Sequence, residues 1–487
     1  MRIKDKVDDN INYIKEMNNN SSDIVTRKIK KKNKEVGYIY LESVSSDDKI
    51  SDFLNKSLVS NISFTNVLKN LQNDIYCSHI STCDNFEEVF YYLASGYTAL
   101  FIDGETRFIV VETKTTLDRG VSEGSSEPIV RGPKDSFTEN HATNLGLIRK
   151  RIKDSNLIFD EVKVGRRTKT KVDIAYIKDI ADKKRVSEIA DELKKIDIDG
   201  ILDSGYIREF LQNDSASLFP QMISTERPDL ACSSLLDGKI VILVENTPYV
   251  LIIPGLFVDF IHSPEDNYQK PLNATFNRIL RIICFFTATF SPAIYISLMT
   301  FNPEIIPDQL LISLAIQRDG VPFPTAVEVL VFIITFEILR QADVHSPTVS
   351  GSAMNIVGAL ILGDAAVNAG IVSPIAIIVI AVTSICELVF YDVDMINAIR
   401  QWRIIFIIAS LFLGIIGFVA SLFIFISKLS SLISFGVPYL TPISPFSTVG
   451  LKNYIARLKR PKLKERAKYL SKNSRRLVDY EENINNN

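Results

Sequence analysis

Ile282 to Phe301 is a run of twenty residues without a charged side chain. At about 1.5 Å of rise per residue, such a run crosses a hydrocarbon core of about 30 Å. Nothing else in the chain limits the fold as much. A backbone that crosses lipid must satisfy its own hydrogen bonds, and a single long apolar run does so as a helix.

The rest of the 487 residues sort around this segment. Up to about Asp266 the sequence is charged and mixed, and from Ile279 to Ile426 it is mostly apolar; 46% hydrophobic residues and a net charge of −2 therefore average two unlike parts. Further apolar segments are Phe323–Leu339 with Glu328 and Glu337, Ser352–Val372 with Asp364, Pro374–Phe390 and Ile404–Ser427. The stretch "DQLLISLAIQRDG" is amphipathic and suits the membrane interface. Arg278 and Arg281 precede the first segment, which places the soluble part in the cytoplasm by the positive-inside rule.

The other end of the chain does not fit an odd count. Residues 451–476 carry eleven lysines and arginines against one acid, Glu465, so this tail is also expected in the cytoplasm. That needs an even number of crossings, and five segments are counted. Either one of them is re-entrant, or "SFGVPYLTPISPF" (Ser434–Phe446) returns through the bilayer.

The soluble half reads as α/β. "YTALFIDGETRFIVVETK" alternates around Asp103-Gly104, a strong hairpin signal, and the pattern returns in "GKIVILVENTPYVLIIP" with Glu245-Asn246 at the turn. Aligning the turns pairs Ile102 with Val244, Ile109 with Leu251 and Val110 with Ile252. Either the half is a duplication of two related subdomains, or two unrelated hairpins look alike. Ser136 and Glu139 have capping-box spacing ahead of a helix whose Leu145, Ile148 and Ile152 share a face.

The fold class expected is thus an α/β soluble region of two related subdomains, a polytopic α-helical membrane domain and a short basic tail. The divisions are 1–35 as a disordered basic tail, 36–153 and 154–270 as subdomains, 271–446 as four to six membrane segments, and 447–487 as the C-terminal tail. Residues 1–35 include "RKIKKKNK" and lack the apolar core of a secretory signal; contact with anionic lipid is the alternative to plain disorder.

Two basic clusters stand out: Arg131 with Lys134, and Arg166, Arg167, Lys169 and Lys171. They suit contact with a subunit or lipid headgroups, or else form a solvated face paired with neighbouring acids. No Gly-rich phosphate loop accompanies them, and no interleaved aromatics suggest nucleic acid. Five scattered cysteines and four histidines show no disulfide or metal-ligand spacing, so no metal, no cofactor and no enzyme activity is expected. In the apolar half, Asp364 and Asn368 lie four apart, and with Asn355 they are candidates for lining an ion path; interhelical hydrogen bonding is the other use of such residues.

Several longer motifs resemble the A subunits of bacterial spore germinant receptors, the GerA type, from about Ser51 to Arg460. They are "EPIVRGPKDSFTE" (with Gly132, Pro133, Phe137, Thr138 and Glu139), "RRTKTKV", and "FPQMISTERPD" (Phe219, Pro220, Gln221, Glu226, Arg227, Pro228). Further along come "VPFPTAVEVL" (Pro322, Pro324, Glu328), "NIVGALILGDAAVNAGIVSP", and "SFGVPYLTPISP" (Gly436, Pro438, Tyr439). The resemblance implies a subunit of the spore inner membrane that works with a permease-like B subunit and a lipoprotein C subunit. Such complexes sense a small-molecule nutrient and trigger germination. It also implies a homo-oligomer acting as a nutrient-gated ion channel; a permease or a non-conducting relay are the alternatives. The chain departs from the family pattern in "RQADVHSP", at Gln341 and His345, and at Asp364, where glutamine is more usual.

Overall fold

The computed structural model describes residues 3–31, 34–58, 63–73, 79–115, 127, 129–212, 217–344, 363–447, 450, 454–459 and 465–471. Asn355 and His345 fall outside the described residues. The first sheet contains β1 (Ile24–Lys31), β2 (Lys34–Leu41), β3 (Ile80–Cys83), β4 (Tyr97–Ile102) and β5 (Phe108–Glu112), in the order β1-β2-β4-β5-β3. The second contains β6 (Leu157–Val164), β7 (Thr170–Ile177), β8 (Ile223–Thr225), β9 (Ile240–Val244) and β10 (Val250–Ile253), in the order β6-β7-β9-β10-β8. Both sheets are antiparallel throughout.

The order is the same, and so is the register. Leu100 faces Ile109 as Ile242 faces Leu251, Ser81 faces Val110 as Ile223 faces Ile252, and Val36 faces Ile102 as Val172 faces Val244. A one-residue slip would turn every core side chain outward, so matching registers mean matching inward faces. Two hairpins that merely look alike would not reproduce three further strand pairings. The two sheets repeat one topology and one register, as a duplication would leave them.

The first repeat starts earlier than the sequence suggests. Residues 1–35 are not a disordered tail: α1 (Val7–Met17) and β1 occupy most of them. Val7, Ile11 and Ile14 recur at helical spacing and are buried over β2, so close that a Cβ on Gly37 would meet Ile11 at 2.8 Å. The basic run that suggested disorder is an edge strand. Its Val25 and Ile29 pack inward while Lys28 and Lys30 stay in solvent, the kind of edge that resists pairing with other chains.

Helices cover the sheets: α2 (Asp47–Ser57), α3 (Phe64–Gln72) and α4 (Phe86–Ala94) in the first repeat, then α5 (His141–Arg151), α6 (Lys183–Lys195), α7 (Ser204–Leu211) and α8 (Pro228–Asp237) in the second. The capping box expected at Ser136 and Glu139 does not open α5. Asn140 does, accepting the Thr143 N–H at 3.0 Å one turn later. Leu145, Ile148 and Ile152 are buried as the periodicity requires.

After α9 (Phe257–Ile261) the chain enters the apolar bundle: α10 (Pro271–Thr300), α11 (Asp308–Arg318), α12 (Thr325–Val344), α13 (Pro374–Glu387) and α14 (Val393–Ser431). Helices α10 and α14 are long and apolar enough to cross a membrane.

Helix α14 is not one rod. Trp402 and Phe425 would sit about 35 Å apart along a straight helix, yet their ring centroids are 4.9 Å apart. The chain reverses at Gly414, where φ is 56° and ψ −135°, a conformation in which any side chain is strained. The bend has no room for one either, since atoms of Phe301 lie 2.7 Å from where a Cβ would stand. The segment counted once in the sequence is therefore a helical hairpin of two arms. Its apex lies beside the end of α10, and its second arm returns to the soluble half.

That fold-back removes the need for a re-entrant tail motif. Ser434–Phe446 does not run back through the bundle. Its start is a two-residue hairpin, β11 (Ile433–Ser434) and β12 (Val437–Pro438), turned by Phe435 and Gly436, both at positive φ. It docks on the soluble half, with the Ser434 hydroxyl donating to the Gln221 carbonyl at 2.8 Å.

Candidate functional site

The junction between the second repeat and the bundle gathers motif residues that lie far apart in sequence. Phe219 sits 6.3 Å from Trp402, 5.8 Å from Phe425 and 6.1 Å from Tyr439, centroid to centroid. Tyr439 is fully buried, and its carbonyl accepts the Phe257 N–H at 3.0 Å. Pro220 turns the chain into Gln221, whose carbonyl takes both the Gly255 N–H and the Ser434 hydroxyl at 2.8 Å. One aromatic knot thus joins the soluble half to both arms of α14 and to the segment holding Gly436 and Pro438. Aromatic pairs at these separations add to plain apolar burial.

"EPIVRGPKDSFTE" and "STERPD" are two sides of one contact. The Phe137 N–H donates to the Glu226 carbonyl at 2.7 Å, and Arg227 donates to the Pro133 carbonyl at 3.1 Å and to Asp229 at 2.8 Å. Thr138 donates through its N–H to Asn144 at 2.8 Å. Gly132 has a φ of 136° and is pressed against Tyr268, where a Cβ would meet the ring at 2.9 Å. Pro228 opens α8 at its first turn, where its missing N–H costs no bond. Beside them, Thr225 donates to half-buried Glu127 at 2.7 Å. Burial, with Glu226 and Asp392 nearby, pushes the Glu127 carboxyl up to about 7. Burial and Asp394 do the same to Asp392, which caps α14 and is also pushed to about 7.

Charges gather where the chain enters the bundle. Asp266 accepts from Arg278 at 3.0 Å and from Arg281 at 2.8 Å, so the two residues expected to orient the chain also lock α10 to the soluble half. Arg208 of α7 pairs with Asp394 in the first turn of α14. Deeper in, Glu387 at the end of α13 binds both Arg400 and Arg403 of α14, the latter at 2.9 Å, and Glu337 of α12 bridges Arg340 and Arg400. Near the start of α12, which follows Pro322 and Pro324, Glu328 is buried and accepts the N–H of Ser373.

The sequence reading missed Asp266, Glu387, Arg400 and Arg403. A signal was present for three of them: a carboxylate inside one apolar segment and two arginines at helical spacing at the head of the next. Asp364 and Asn368 are both exposed, on one short helical stretch at residues 363–368.

The two basic clusters have separate surroundings. Arg131 and Lys134 are exposed at the junction, as is Glu139. Arg166 pairs with Asp197 at 2.5 Å, Arg167 with Asp199 at 3.7 Å and Lys171 with Glu161 at 3.8 Å. Lys169, at a φ of 47°, completes the β6–β7 turn.

A family model described as Bacillus/Clostridium GerA spore germination protein matches residues 12–469. Spore germination protein KA of Bacillus subtilis (strain 168) is 39% identical over 455 residues, covering 92% of this chain and 84% of that protein. Uncharacterized membrane protein YfkQ of the same organism is 34% identical, covering 93% and 89%. Spore germination protein GerLA of Bacillus cereus is 34% identical, covering 82% and 81%. The solved N-terminal domain of the A subunit of the Bacillus megaterium spore germinant receptor GerK3 is 35% identical, with a TM-score of 0.42, over 53% of this chain and 98% of that one. The chain belongs to the GerA family of spore germination proteins, as a membrane protein of the germinant-receptor A-subunit type.

Proposed function

We propose that this chain is the ion-conducting A subunit of a nutrient receptor in the spore inner membrane. It works there as a homo-oligomer beside permease-like B and lipoprotein C subunits, with its soluble half and tail on the cytoplasmic side. The observation that carries this reading is the exposed pair Asp364 and Asn368, four apart on one helical stretch within an apolar bundle. A carboxylate facing hydrocarbon costs about 2.5–3.5 kcal/mol on insertion scales, so a second copy or water is the suitable neighbour. Around an axis, copies of Asp364 form a ring of negative charge that favours cations.

The hairpin in α14 supports the sidedness. The soluble half and the segment that follows α14 then lie at the same end of the bundle, with Tyr439 on the soluble half. The soluble half and the bundle are joined by the aromatic knot and by Asp266, so a shift in one is transmitted to the other.

The test uses Asp364→Asn and Asp364→Lys in germinating spores with unchanged membrane levels of protein. Cation release after nutrient addition should fall for the first and nearly vanish, or change selectivity, for the second. Release like the parent's in both variants would remove Asp364 from the conduction path.

A further inference from the structure

The basic C-terminal segment, beyond being cationic, closes a cavity. A space of about 410 Å³ lies where the underside of the second repeat and the start of α10 meet Ser447, Gly450, Tyr454, Arg457 and residues 465–470. That is within the size range of sites for small ligands. Lys239, Arg278, Arg457, Arg466 and Lys468 line it, from four stretches of chain, against the carboxylates of Asp237, Asp259 and Glu465 among the described residues.

The polar groups around this space favour an anion. His262 donates from Nε2 to the Tyr454 carbonyl at 2.8 Å, and burial with Arg278 beside it holds its ring well below the usual histidine range, so it is neutral. Tyr454 and Tyr469 also face the cavity, and burial keeps their hydroxyls protonated. Tyr469 donates to the Tyr454 oxygen at 2.8 Å, leaving the Tyr454 O–H to donate elsewhere. Lys468 is exposed, and its ammonium pairs with no carboxylate among the described residues. Lys239 is held by Asp259 at 2.6 Å and Arg278 by Asp266 at 3.0 Å, so the Lys468 ammonium and the Tyr454 O–H, beside the guanidinium groups of Arg457 and Arg466, are the groups that suit a doubly charged oxyanion such as phosphate.

We propose that this cavity binds a phosphate group, which fastens the C-terminal segment to the base of the soluble half. Arg278 and Tyr391 in its wall border the bundle segments, so a phospholipid headgroup and a soluble phosphate compound are both sources of the same chemistry. The inference is independent of whether the bundle conducts ions.

The experiment follows chymotryptic cleavage after Tyr454 and Tyr469 in the full chain held in lipid nanodiscs. The discs contain phosphatidylcholine alone or with phosphatidylglycerol, and inorganic phosphate is titrated into the first against chloride at equal ionic strength. A bound ligand slows cleavage about tenfold at ten times its Kd. Protection by phosphatidylglycerol alone assigns the site to a headgroup, and protection by phosphate in phosphatidylcholine assigns it to a soluble compound. Lys468→Gln should need about tenfold more ligand, the equivalent of one charge-assisted hydrogen bond. Lys468→Arg and the distant Arg166→Gln should behave as the parent. Cleavage that neither ligand slows, or equal protection in Lys468→Gln, would overturn the proposal.

Discussion

Arg149 grips Asp23 with two hydrogen bonds, 2.9 Å from Nε and 3.0 Å from Nη2, across the boundary between the two repeats. Both side chains are buried, the guanidinium also lies 4.8 Å over the ring of Phe159, and Ser21 and Ser43 complete the shell around the carboxylate. Arg149 holds Asp23 well charged, below the ordinary carboxylate range, despite the burial that works against it. The repeats are thus joined by an ionic contact as well as by the chain. Arg149→Met strands a buried carboxylate and should destabilise the soluble half by about 3–5 kcal/mol. Adding Asp23→Asn should recover part of that loss, and thermal unfolding by circular dichroism reads both.

The hairpin in α14 can be tested by cross-linking. With the other cysteines replaced, Trp402→Cys with Phe425→Cys should form an intramolecular disulfide under mild oxidation. A straight helix would hold the pair about 35 Å apart and give none. Gly414→Val should lower the yield of folded protein, because its backbone is left-handed and Phe301 fills the space beside it.

Removing the carboxylate that two arginines share should cost more than removing either arginine. Glu387→Gln leaves Arg400 with Glu337 and Arg403 with no acid among the described residues. The expected result is a loss of about 3–5 kcal/mol and lower membrane abundance, measured by immunoblot of membrane fractions. Arg403→Gln should be milder, since Arg400 still satisfies Glu387.

Glu127 and Asp392 predict an acid-favoured fold. Both carboxyls are held up to about 7, above the values of 4.5 and 3.8 that free carboxyls show. Between about pH 4 and pH 7 the unfolded chain releases these protons while the folded chain keeps them, so stability falls as pH rises and levels off above 7. Glu127 contributes up to about 3 kcal/mol to that fall and Asp392 up to about 4 kcal/mol. Glu127→Gln with Asp392→Asn should flatten the dependence of the melting temperature on pH across this window. A slope equal to the parent's would place the titration elsewhere.

Much of this architecture could be read from local pattern. The duplicated hairpins were legible because alternation and turn residues are short-range signals, and α5 showed its buried face in Leu145, Ile148 and Ile152. Residues 1–35 were misread because lysines on an edge strand look like lysines in a tail until the partner strand is known. The bend at Gly414 was hidden in a run that stays apolar on both sides of it. The junction was visible only as separate motifs. Phe219 and Tyr439, or Pro133 and Arg227, are brought together by tertiary packing, and nothing in their spacing announces it.

The matching registers of the two sheets bear on how the repeats could diverge. Since Leu100 and Ile242 hold equivalent places in equivalent ladders, the hairpins β4–β5 and β9–β10 are in phase, and exchanging them would keep inward side chains inward. Drift in one copy is therefore limited to substitutions that preserve a shared scaffold, while turns are free to change length. The β6–β7 turn has used that freedom. Where Lys31 faces Lys34 across two residues in the first copy, Val164 faces Thr170 across five in the second, and the added residues carry the arginines that now pair with Asp197 and Asp199. The two halves thus differ at their loops, while their ladders of backbone hydrogen bonds keep one register.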